Sequence, residues 1–177
     1  MVRFVLSGLA VVAVCLPSLS YAVDRSASQF WTMYRNGRFG FSITYPSGLL
    51  APDPTAGRDA GRMFRSSDGR VTLLAGAGRN DSGDTLDQYR RFLLIENYGN
   101  ARLDYMPVRR DWFVLSGTQP GTRGDEVFYE RVTFACDGRF IHGWRLTYPA
   151  SERGTYDRIV EGIHRNYRPG RGDGGAC

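Results

Sequence analysis

Apolar and polar residues alternate along residues 39–45: Phe39, Phe41, Ile43 and Tyr45 fall on one side of an extended chain, and Gly40, Ser42 and Thr44 on the other. That period of two predicts a strand with one buried face, closed by Pro46. Residues 49–61, with Pro52, Pro54 and two glycines, predict a loop. Two short apolar runs, 63–66 and 71–75, flank Ser67-Asp68-Gly69 and predict a hairpin, since Asp-Gly supplies the positive φ of a tight turn with little strain. After a second loop at 76–83 the period lengthens. Leu86, Tyr89 and Leu93, with Phe92 and Ile95, have helical spacing over 85–97, with Ser82 or Asp84 placed to cap the start and Gly99 just past the end.

Four strand-like runs follow, at 101–108, 111–117, 126–136 and 139–148, the last two joined by Asp137-Gly138. In the final run Phe140, His142, Trp144, Leu146 and Tyr148 share a face. Tyr156, Ile159, Val160, Ile163 and Tyr167 then recur at the spacing of an amphipathic helix, with Glu152 at its start and Arg165 and Arg168 at its end. Hairpin-joined strands predict an antiparallel sheet of about six to seven strands, and two helices with one apolar stripe each must cover it. The fold class is α+β.

This order, together with the segment Arg38-Phe-Gly-Phe-Ser-Ile-Thr-Tyr-Pro46 and then Phe64-Arg-Ser-Ser-Asp-Gly-Arg70, resembles the PsbP-like superfamily of small α/β/α sandwiches. The resemblance covers about residues 34–167 and implies a fold. It carries no metal or partner residues onto this chain, because many exported bacterial members of that superfamily have no known role and a fold does not imply a function.

The first residues change the picture by setting a compartment. Arg3, an apolar run over 4–16, Pro17 and then Ser20-Tyr21-Ala22 read as a secretory leader cleaved before Val23. The apolar run is too short to span a bilayer. Residues 23–33 are expected as an N-terminal linker, 34–168 as one domain and 169–177 as a flexible, Gly-rich tail. All 23 basic residues are arginine, and the formal charge is +5 over 177 residues. The arginines are interleaved with acids, which argues for a mixed-charge surface rather than a nucleic-acid site. Cys136 and Cys177 remain after cleavage in a compartment that permits disulfides. An intramolecular bridge is open, as is a free or intermolecular Cys177. Cys136 is placed by its spacing on the strand face of Phe128, Val132 and Phe134.

The candidate chemistry is thin. The glycine-rich stretch 76–83 stands between a strand and a helix, but Asp81 occupies the third glycine position of a dinucleotide fingerprint and no βαβ unit follows. Asp81 and Asp84, with Asn80, offer oxygens to a hard cation or a small ligand in that loop, although acids before a helix already serve as caps. His142 is expected in the core and His164 as a surface residue at the end of the last helix. A hydrolase would have to assemble scattered groups such as Asp81, Asp84 and His142. No cofactor is expected. Aromatic side chains exposed beside arginines would mark a contact surface, and Trp31 and Trp112 are the candidates. The reading that follows is an exported, non-catalytic binding or support domain whose partner is an envelope protein or a glycan. Binding of a small ligand or cation at 76–84 and a cryptic hydrolase are the alternatives.

Overall fold

The computed structural model of the protein describes residues 30–55 and 60–177, so the leader at 1–22 and most of the expected linker lie outside the described residues. Nine strands and two α-helices run in the order β1 (Trp31–Arg35), β2 (Ser42–Pro46), β3 (Ala51–Pro52), β4 (Gly61–Arg65), β5 (Thr72–Arg79), α1 (Leu86–Glu96), β6 (Arg102–Tyr105), β7 (Trp112–Gly121), β8 (Gly124–Ala135), β9 (Phe140–Pro149) and α2 (Arg153–Asn166). Seven strands form one antiparallel sheet in the order β3-β4-β5-β9-β8-β7-β6. β1 and β2 make a separate antiparallel ribbon.

The alternation along each strand sends apolar side chains to both faces, so each face needs a cover. On one side α1 sets Leu93, with Tyr98 just beyond it, on Phe113, Leu115, Phe128, Val132 and Phe134. On the other, α2 lays Tyr156, Ile159, Val160 and Ile163 on Leu73, Trp144, Leu146 and Tyr148, and the β1–β2 ribbon adds Phe41, Ile43 and Tyr45. Ser42 and Arg168 exchange backbone hydrogen bonds of 2.9 Å, which tie the ribbon to the end of α2.

Several elements depart from the sequence expectation. β1 occupies part of the expected linker. Its Trp31 indole lies on α2 at Gly162, where a Cβ would stand 2.6 Å from the ring, so glycine makes room for it. Residues 76–79, expected as loop, complete β5. Their glycines lack the apolar period that marks a strand, and pairing with β9 decides their conformation. The cap of α1 is Thr85: its hydroxyl accepts from Gln88 N and its own N–H donates to Gln88 Oε1, a reciprocal capping box. Ser82 and Asp84 hydrogen-bond to each other instead.

Cys136 is not on the strand face assigned to it. β8 ends at Ala135, and Cys136 and Asp137 both turn into the left-handed region, φ 56° and 55°, to carry the chain into β9. This swings Cys136 Sγ away from the core and to bonding distance from Cys177, with the Cα atoms 5.2 Å apart. The last nine residues, expected as a flexible tail, run back across 38–41: Gly174 N–H donates to the Arg38 carbonyl, and Asp173 pairs with Arg38 at 3.1 Å. Gly170 passes so close to Phe39 that any side chain there would strike its carbonyl.

Candidate functional site

On β8, Phe128, Val132 and Phe134 face α1, and the residues between them, Tyr129, Arg131 and Thr133, therefore face α2. β7 brings Trp112 opposite Thr133, so its indole lies beside Arg131. The last turns of α2 bring His164, and Tyr167 follows at the C-cap. Four segments thus converge on one half-buried cluster. The Arg131 guanidinium lies 4.5 Å above the Trp112 ring and 5.7 Å from that of Tyr167, and Arg109 approaches Trp112 to 5.7 Å. The rings of Trp112 and His164 meet edge to face at 5.9 Å. Tyr129 stacks on Trp144 at 5.2 Å. A guanidinium over an aromatic face is held by the ring quadrupole, more strongly as water is excluded.

The hydrogen bonds fix the histidine. Arg131 Nη1 lies 3.3 Å from His164 Nε2, and Tyr129 Oη lies 2.9 Å from His164 Nδ1. An arginine only donates, so Nε2 accepts and Nδ1 carries the proton given to Tyr129. Burial lowers the pKa of His164, and the positive Arg131 lowers it further. Burial also lowers the pKa of Arg131, which keeps its charge, and Asp111 favours that charge from outside ion-pair distance. Burial raises the Tyr129 hydroxyl to about 12. Among the described residues, no ion pair includes Arg109, Arg131 or Arg168. The cluster is a preorganised set of donors with aromatic walls and a net positive charge.

The sequence candidates are scattered around it. Trp112 is in the site. Trp31 is not part of the contacts that build it and leans on α2 at Gly162. His164, expected on the surface, faces inward to Tyr129. His142 is fully buried against the edges of Phe39 and Phe41 at 6.4 and 6.2 Å. Burial lowers its pKa, only partly offset by the Arg171 carbonyl, and neither ring nitrogen makes a well-formed hydrogen bond. Asp81 is exposed and pairs with Arg79 at 3.4 Å, while Asp84 is engaged with Ser82 and, through its backbone, with Asn80. The His–carboxylate pair that a hydrolase would build from Asp81, Asp84 and His142 is therefore not formed. Among the described residues no group of three or more His, Cys, Asp and Glu side chains gathers where a metal could sit. Arg131, Tyr129 and Tyr167 carried no sequence signal, since their partners lie on other strands and on α2. The alternation of β8 was the one available hint.

No protein-family model matches the chain, and no curated protein matches it at a significant level. Solved structures do. The solution structure of cyanobacterial PsbP from Synechocystis sp. PCC 6803 superposes with a TM-score of 0.58 at 16% identity, covering 85% of this chain and 97% of that one. A crystal structure from Bacteroides thetaiotaomicron VPI-5482 gives a TM-score of 0.49 at 16% identity, over 77% of this chain and 47% of that one. The first likeness shows that the chain has the PsbP-like α+β fold, as the element order implied.

Proposed function

We propose that this protein is an exported, non-catalytic binding module that holds an acidic protein of the cell envelope through the Trp112–Arg131 face. One observation carries the reading: Arg131 is half-buried between aromatic rings, is oriented by His164 and Tyr129, and has no carboxylate partner of its own among the described residues. Burying part of an arginine without an anion is unfavourable, and an acidic side chain from a partner would restore the balance through charge-assisted, bidentate hydrogen bonds. Tryptophan, tyrosine and arginine in a partly desolvated cluster also have the composition of an interface hot spot. Export is supported by the leader-like residues 1–22 and by Cys136 and Cys177, whose sulfurs meet at bonding distance as an oxidising compartment would allow.

The test is photo-crosslinking in intact envelopes, with the reactive group placed at exposed position 110. The native chain is expected to capture one protein, with capture falling as ionic strength rises, because exposed charges are screened beyond about 10 Å at 0.1 M salt. In Arg131→Gln and Trp112→Leu, capture should drop about tenfold while the circular dichroism spectrum is kept. Equal capture by both folded variants, or an adduct removed by glycosidase and not by protease, would sink the proposal.

A further inference from the structure

Half of the α1 face of the sheet has no cover. α1 stands over β7 and β8, whereas on β4 and β5 Met63 is half-buried and Leu74 remains 41% exposed. The space between them is a trench of about 990 Å³, at the upper end of the size of small-molecule sites. Its floor is a row of glycines across three strands. Gly61 on β4 lies opposite Gly76 on β5, which lies opposite Gly143 on β9, and the row ends at Val132 of β8 beneath α1. The neighbouring row, Met63, Leu74, Arg145 and Glu130, makes one wall, and Tyr89 of α1 stands over the closed end.

Backbone packing accounts for some of these glycines. At Gly61 a Cβ would stand 2.4 Å from the Ala75 carbonyl oxygen, and at Gly143 it would meet that of Arg131 at 3.3 Å. Gly78 is different. It lies on the same face two residues along β5, its φ is outside the left-handed region, and a Cβ there would meet nothing within 4 Å. The fold does not require glycine at this position, and glycine weakens a strand. What its missing side chain does is keep the trench open for another molecule to approach the sheet.

The charge in the trench says which molecule. Glu130 and Arg145 are cross-strand neighbours on the wall, and the Tyr98 hydroxyl donates to the Glu130 carboxylate. Burial pushes the Glu130 carboxyl up, which weakens the counter-charge beside Arg145, and no ion pair among the described residues includes Arg145. We infer that the trench binds an apolar molecule bearing a carboxylate, with its hydrocarbon part on the glycine row between Leu74 and Tyr89 and its carboxylate bonded to Arg145. The site is separate from the Trp112–Arg131 face, on the opposite side of the sheet.

The measurement is calorimetric titration and thermal melting of the full exported chain with decanoate below its micellar concentration, beside decanol and decyltrimethylammonium. Decanoate should bind saturably and raise Tm, with decanol about tenfold weaker and the ammonium compound without effect. Gly78→Val should melt no lower than the native chain, since valine favours strands, yet bind decanoate about tenfold more weakly or not at all. The paired replacement Glu130→Gln with Arg145→Gln removes both charges together and should bind decanoate no better than decanol. The inference is overturned by absence of saturable binding, by preference for the ammonium compound, by native affinity in a folded Gly78→Val, or by a retained carboxylate preference in the paired variant.

Discussion

At the scale of single residues, the two histidines make opposite uses of the same burial. His142 fills space among Phe39 and Phe41, while His164 orients Arg131. Both have pKa values lowered by burial from the ordinary 6.5, so the folded chain holds them neutral where the unfolded chain would bind protons. Stability is therefore complete above pH 6.5 and is lost as pH falls below that value, continuing until the folded-state pKa is reached. Urea unfolding at stepped pH should show this slope, and His142→Leu should flatten it because leucine fills the site without a proton to bind. A slope unchanged in that variant would assign the effect elsewhere. The role of His142 as a core residue was legible from the strand face it shares with Trp144 and Leu146. That of His164 was not, because helical spacing places it next to Ile163 without saying that Tyr129 and Arg131 wait across the interface.

At the scale of elements, period was a good guide wherever a segment buries one face, and a poor one elsewhere. β2, β9 and both helices follow from it. β1 is mostly exposed, and the end of β5 is glycine, so neither displays the apolar alternation that identifies a strand. The start of α1 was placed correctly to within a residue or so, but its cap was not, because Ser82, Asp84 and Thr85 are all capping types and only the geometry selects Thr85. Thr85→Ala should therefore lower stability by about 1 kcal/mol, within a range of roughly 0.5–2. Ser82→Ala, which leaves the capping box intact, should stay within about 0.5 kcal/mol. Chemical denaturation of the two variants separates the assignments, and equal effects would remove Thr85 from the role.

For the whole molecule, the tail and the turn at Cys136 bear on the fold together. Pairing Cys136 with Cys177 closes a loop of sequence separation 41, which in the chain-entropy account stabilises by about 4 kcal/mol. Intact-mass measurement of the exported protein should find it two hydrogens lighter than the reduced chain. Cys177→Ser should melt lower and release the contacts of Asp173 and Gly174 with Arg38. A native mass with free thiols would refute the bridge. No helix among the described residues is long and apolar enough to cross a membrane, so any attachment of the folded domain to an envelope has to run through its surfaces, of which the Trp112–Arg131 face is the proposed one.

The order of periods along the chain was enough to determine an antiparallel α+β sandwich, its two covering helices and the hairpin joining β8 to β9, because these are local consequences of which residues must leave water. The sites were decided by tertiary structure alone. Trp112, Arg131 and His164 come from three elements, and Gly61, Gly76 and Gly143 are dispersed in sequence yet form one row. Strand register and the seating of helices across the sheet set both groupings, and register depends on pairing between distant segments that no local pattern records.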